Sequence, residues 1–178
     1  MNISILDKNC KEEAASLFAS VFSSSEGAQE GRLIGSLVSA LAARTDNQDI
    51  ICIGAFEDGA MIGAIFLTRL RFDEPIEAYM LAPVAVGSAH QGKGVGQALI
   101  NFGLHELNNR SATVAVTYGD PAFYSKVGFQ ALSEDVIQAP MPLSMPEGWL
   151  GRSLSGEPIP ILKSRPACVQ EFDNPEYW

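Results

Sequence analysis

The stretch Gln91-Gly92-Lys93-Gly94-Val95-Gly96 joins an apolar run that ends at Val86 to a helical pattern that starts at Val95. This strand, glycine-rich turn and helix constrain the chain more than any other feature. The sequence points to a domain that mixes strands and helices. A helix N-terminus presents free N–H groups and a partial positive charge. Glycines let the backbone come close to a bound group, so the turn is a candidate phosphate cradle, with Lys93 adding charge at its mouth. It could also be no more than a tight connection. Two nucleotide patterns fail here. G-x-G-x-x-G would need a third glycine where Gln97 stands. G-x-x-x-x-G-K-[ST] fits at Gly87, Gly92 and Lys93, with Asp120 as the acidic partner, but Gly94 replaces the hydroxyl that would hold magnesium.

The flanking chain supplies the other elements. Asn2–Leu6 alternates as a short strand, and Ala14, Leu17, Phe18, Val21 and Phe22 recur at helical spacing until Ser23–Gly27 breaks them. Leu33, Ile34, Leu37, Val38, Leu41 and Ala42 mark a second helix. Asp49–Phe56 and Ala60–Leu70 flank the turn Glu57-Asp58-Gly59, a hairpin signal. Ile76–Val86 is a strand that should be bulged or unpaired on one side near Pro83, which lacks a ladder donor. Val95 to Leu107 is a helix, and Thr113–Thr117 a buried strand. Asp120-Pro121 opens a short helix as N-cap and first residue, and Gly128 closes it as a left-handed cap. The expected fold class is therefore α/β (α+β), without regular strand–helix alternation.

From Ala139 onward seven prolines punctuate the chain, and one strand is plausible at Ile159–Lys163. Both tryptophans, Trp149 and Trp178, lie here, so we expect residues 139–178 to be an extension packed on a domain of residues 1–138.

Composition narrows function mainly by exclusion. A net charge of −9 without a Lys/Arg cluster disfavours nucleic acid and anionic membranes, and favours a cationic partner such as an amine. No apolar run reaches the ~20 residues of a membrane span. Met1–Lys8 has no basic stretch followed by an apolar one, so no secretory signal is expected. Three scattered cysteines and two histidines form neither a disulfide framework nor a metal-ligand pair, which fits a reducing cytoplasm and predicts no metal.

Two segments together carry a family resemblance. Gln91, Gly94 and Gly96 fit Q/R-x-x-G-x-G/A, the pyrophosphate loop of the GNAT superfamily of N-acetyltransferases. Leu81-Ala82-Pro83-Val84-Ala85-Val86 looks like that superfamily's fourth strand, and Phe123-Tyr124-Ser125-Lys126-Val127-Gly128-Phe129 is similar to its FY-x-x-x-GF segment. The order of elements agrees over roughly Asn2–Asp135. Gly119–Ala122 and Pro146-Glu147-Gly148 resemble a predicted-acetyltransferase branch.

The resemblance implies a mostly antiparallel mixed sheet flanked by helices, and acetyl transfer from acetyl-CoA to a primary amine by direct attack. Backbone groups of Val84, Ala85 and Val86 would hold the pantetheine arm. Gln91, Gly92, Lys93, Gly94, Val95 and Gly96 would hold the pyrophosphate. Tyr124 would be the general acid to the departing thiolate, since a phenol of pKa about 10 can protonate a thiolate of similar basicity. Glu77 is the first candidate for the base and Asp120, otherwise a helix cap, the second. His90 adjoins the loop and could touch phosphate. The acceptor is a small-molecule or peptide amine, and homodimers are common among such domains. The competing reading is a non-catalytic acyl-CoA-binding regulatory module.

Overall fold

The computed structural model describes residues 1–7 and 10–178. Lys8, the last residue of the N-terminal stretch read for a leader, lies outside them. Seven strands hydrogen-bond in the order β1-β2-β3-β4-β5-β7-β6. They are β1 (Asn2–Ile5), β2 (Ile50–Glu57), β3 (Ala60–Leu70), β4 (Ala78–Val86), β5 (Val114–Tyr118), β6 (Gln130–Ala131) and β7 (Trp149–Ser153). The helices are α1 (Lys11–Glu26), α2 (Ala28–Arg44), α3 (Val95–Asn109) and the single turn α4 (Pro121–Tyr124). β1–β2, β5–β7 and β6–β7 are antiparallel, and β4–β5 is parallel. This is the mixed, mostly antiparallel sheet flanked by helices that the resemblance implied.

The chain divides into two compact units. The first comprises residues 1–67 and 83–103. Its hairpin β2–β3 turns at Asp58 and Gly59, both at positive φ (51° and 82°), as a two-residue loop with the right twist requires. Phe18 of α1 packs edge-on to Phe66 of β3 at 5.6 Å, and both are fully buried. α1 does not break at Ser23. It continues to Glu26 and stops at Gly27, whose φ of 100° ends the helix. Ser24 satisfies its hydroxyl by donating to Ser20 O (3.0 Å), so the serine run stays helical. α1 faces α2 closely: a Cβ on Gly31 would fall 1.8 Å from Ser23 Oγ.

The second unit comprises residues 68–82 and 104–178. β4 begins at Ala78 rather than Ile76, and its parallel register with β5 runs from Ala78↔Val114 to Met80↔Val116. That register stops short of Pro83, whose ring removes a ladder donor. The proline-punctuated tail supplies β7, which lies between β5 and β6. The strand expected at Ile159–Lys163 does not form. Pro160 removes a donor from its middle, Ile161 is exposed, and among the described residues only Leu162 N reaches a backbone acceptor there, Val136 O at 2.9 Å.

The tail is fastened by buried aromatics and by one carboxylate. The indole N–H groups of Trp149 and Trp178 donate to Ile137 O and Phe172 O, each at 2.9 Å. Glu74 accepts from Lys163 N (2.6 Å), Ser164 N (3.1 Å) and the Ser164 hydroxyl. The Ser164 hydroxyl first, then the backbone N–H groups, hold its carboxyl down to about 2. A lowered folded-state pKa stabilises the fold above the ordinary carboxylate range, and that contribution is lost as pH falls through the lowered value. Glu74→Gln should therefore melt below the parent at pH 7, with the gap closing between about pH 4.5 and pH 2. Thermal melts at stepped pH test this, and a gap independent of pH would refute it.

Candidate functional site

The residues proposed from sequence fall into both units. Val84, Ala85, Val86 and Gln91 to Gly96 form one continuous strand, turn and helix start in the first unit. Tyr124 and Glu77 belong to the second.

In the first unit, β4 ends with Ala85 buried and Val84 and Val86 half-buried. Gly87 N donates to Ile62 O of β3 (2.8 Å), tying down the exit from the strand. Gln91 folds back so that its Nε2 donates to Val86 O (3.0 Å). Its side chain thus braces the turn. Gly92 and Gly94 take φ of 72° and 81°, the left-handed region that suits glycine. The space where a Cβ would stand is open at both. Ala98 N donates to Gly94 O (3.0 Å), which makes Gly94 the residue before α3. Val95, Gly96 and Gln97 therefore hold first-turn N–H groups without an intrahelical acceptor. No acidic residue stands in that first turn. The result is a cradle at the positive end of a 15-residue helix, with Gly92, Lys93 and Gly94 exposed and Val95 and Gly96 buried beneath them, a fit for a phosphate or pyrophosphate. Lys93 is exposed at its rim, and His90 is drawn aside to Glu57 (Nε2–Oε2, 3.4 Å).

Gly63 of β3, which the sequence did not single out, makes this arrangement possible. A Cβ there would lie 2.9 Å from Leu99 Cδ1, 3.1 Å from Ala85 O and 3.2 Å from Val95 Cγ1. A bare backbone at 63 lets β4 and the first turns of α3 close on β3. A lone glycine within an apolar strand was the available signal.

In the second unit, Gly119-Asp120-Pro121 sets Tyr124. Asp120 Oδ1 accepts from Ala122 N (2.8 Å) as the N-cap, and Pro121 starts the single helical turn. Gly128, at φ 83°, ends the short helix that follows, as the sequence predicted. The Tyr124 ring lies so close to Gly119 that a Cβ there would be 2.7 Å from its Cε2. Phe123 and Phe129 meet the ring edge-on at 5.0 and 5.7 Å. Tyr124 is buried, and burial pushes its phenol above the ordinary range. A side-chain hydrogen bond with Thr117 works against that, and the Asp120 carboxylate adds to it. Thr117 is fully buried and donates to Leu81 O at 2.7 Å. It was missed in the sequence, although a single hydroxyl in the apolar run Val114-Ala115-Val116 was a legible mark.

Glu77 lies just before β4, where its carbonyl accepts from Thr113 N (2.9 Å) and its carboxylate faces Arg69 (Nη1–Oε2, 3.6 Å). Thr113, just before β5, and Thr117 within it are four residues apart, roughly 13 Å at strand rise. Glu77 and the phenol's partner Thr117 are therefore at different levels of the β4–β5 pair. Among the described residues, no group of three or more His, Cys, Asp or Glu is placed to hold a metal, and no helix is long and apolar enough to cross a membrane.

These features have counterparts in known proteins. The family model of the acetyltransferase (GNAT) domain matches residues 2–132. Uncharacterized N-acetyltransferase YjhQ of Escherichia coli K12 is 31% identical over 112 residues, 58% of this chain and 61% of YjhQ. Uncharacterized N-acetyltransferase YhbS of the same strain is 30% identical over 87 residues, 48% of this chain and 52% of YhbS. The matched region thus spans between half and two thirds of these relatives' length. In structure, E. coli YhbS in complex with CoA superposes with a TM-score of 0.75 at 21% identity, covering 97% of this chain and 92% of YhbS. A GNAT family acetyltransferase from Brucella melitensis in complex with acetyl-CoA gives 0.73 at 24% identity and 97% of both chains. A glycine-rich turn leading into helix-start N–H groups, a family model that matches nearly three quarters of the chain and the same fold lead to one assignment: this chain belongs to the GNAT acetyltransferase family.

Proposed function

We propose that the protein transfers an acetyl group from acetyl-CoA to a primary amine by direct attack. The observation that carries this reading is the cradle at residues 92–97, where positive φ and open space at Gly92 and Gly94 meet helix-start N–H groups that have no intrahelical acceptor. The relatives named above support it, two being called N-acetyltransferases and two having been crystallised with CoA or acetyl-CoA.

Acetyl-CoA, when bound, supplies an activated acyl group and a thiolate leaving group. Backbone groups of Val84, Ala85 and Val86 hold the pantetheine arm in the manner of an added strand. Gln91 to Gly96 take the pyrophosphate, with Gln91 keeping the turn shaped and Lys93 adding charge. Tyr124 gives its proton to the sulfur. Its raised pKa keeps it protonated across neutral and mildly alkaline pH, which suits a general acid. The attacking amine must shed a proton to a carboxylate, directly or through water. Glu77 is one candidate, its carboxylate facing Arg69, and Asp120, whose carboxylate adjoins Tyr124, is the other.

Calorimetric titration with acetyl-CoA, with magnesium-ATP as comparison, tests the reading. We expect micromolar acetyl-CoA binding and none for ATP. ATP binding with no response to any coenzyme A species would overturn it. Binding of acetyl-CoA without turnover on a broad amine panel would leave the non-catalytic module instead.

A further inference from the structure

A cavity of about 470 Å³ lies wholly within the second unit. Three separate chain segments build it: the end of β5 with the turn to α4, the turn before β7, and the last residues of the tail. Its volume is in the range that holds a small organic molecule.

The cavity is a constructed one. Gly148 permits it, because a Cβ there would stand 3.1 Å from both Gly119 O and Tyr118 Cε2. Gly119 N donates to Gly148 O (3.0 Å), which closes the floor. The Tyr118 and Trp178 rings stack at 6.2 Å with 17° between planes. Tyr118 cannot swing freely, since its hydroxyl accepts from Met145 N (2.8 Å) and meets Ser144 Oγ (3.1 Å). Trp178 is nearly buried and anchored through its indole N–H. Three carboxylates stand on the rim, Asp120, Glu147 and Glu176, all exposed. None of the described residues lining the cavity is a lysine, arginine or histidine.

Fixed aromatic faces under a rim of one sign attract a cation on an apolar body. The ring faces offer a negative quadrupole to an ammonium, and the carboxylates attract it at range. An anionic ligand would be repelled, and a neutral apolar one would gain nothing from the rim. We infer that this cavity seats the acceptor, and that the acceptor is a small organic amine whose ammonium lies on an aromatic or aliphatic body. In its account of purpose this rests on the acetyl-transfer reading, whereas the binding itself does not. Asp120, at once on the rim and beside Tyr124, then becomes the carboxylate closest to hand for the amine's proton.

The test uses the whole chain and a defined probe pair, 2-phenylethylamine and its neutral isostere 2-phenylethanol. Two tryptophans give two indole N–H resonances, and Trp178→Phe identifies them. We expect 2-phenylethylamine to shift the Trp178 resonance saturably. The alcohol should need at least tenfold higher concentration. Glu147→Gln with Glu176→Gln should raise the amine's midpoint at least fivefold while leaving acetyl-CoA affinity unchanged. Equal response to amine and alcohol, or none at Trp178 while acetyl-CoA still binds, would overturn the inference and spare the acetyl-transfer reading. Amine binding in a protein that ignores acetyl-CoA would do the reverse.

Discussion

Tyr124→Phe should lower kcat by about 10²–10³-fold and leave the Kd for acetyl-CoA within about twofold, as loss of a positioned general acid predicts. The substitution removes one oxygen and keeps the ring. The ring is what Phe123, Phe129 and Gly119 pack against, so the fold should survive. The Thr117 hydroxyl retains Leu81 O as its acceptor and is not orphaned. A matched loss of kcat with unchanged cofactor binding points to the proton; an equal loss of cofactor affinity points to a merely structural tyrosine. Burial raises the phenol's pKa, so its deprotonation should not appear in the kcat profile below about pH 10. The acidic limb instead reports the base. Removing that limb by Glu77→Gln but not by Asp120→Asn, or the reverse, identifies it. Asparagine also caps helices, so the second variant keeps the turn that places Tyr124.

Gly94→Val should weaken acetyl-CoA binding by roughly 10–100-fold. Nothing lies within 4 Å of a Cβ at this position, so a steric clash is not the cause. The cause is the φ of 81°. A β-branched residue held there costs about 1–3 kcal/mol, and the chain relieves that by leaving the cradle conformation. Each 1.4 kcal/mol is about tenfold in affinity. Gly94→Asn is the control, because asparagine tolerates left-handed backbone and should bind within a few-fold of the parent. Calorimetry on both variants decides. Equal loss in the two would mean that the side chain itself blocks the site and that backbone strain is not responsible.

What the sequence determined was local. Glycines at 92, 94 and 128, the Asp120-Pro121 start and the Asp58-Gly59 turn each dictate the backbone within a few residues, because left-handed φ and capping are properties of individual residue types. Repeating apolar spacing likewise marked three long helices and the hairpin. The family pattern at 91–96 and 123–129 is built from the same local signals, and so it was legible.

What the tertiary structure decided depends on partners far away in the chain. β7 forms at Trp149–Ser153, beside β5, because a strand is stabilised by its neighbour and Gly151 and Arg152 disguise its periodicity. Ile159–Lys163 is more strand-like in composition, yet Pro160 interrupts its donors, and Leu162 N and Lys163 N are spent on Val136 O and Glu74. The neighbours of Gly63, the bond from Thr117 to Leu81 O, and the meeting of Tyr118, Gly148 and Trp178 around one cavity join residues tens of positions apart. No local propensity encodes such meetings. They exist because apolar burial draws the tail onto the sheet, and only three-dimensional packing selects which side chains then face one another.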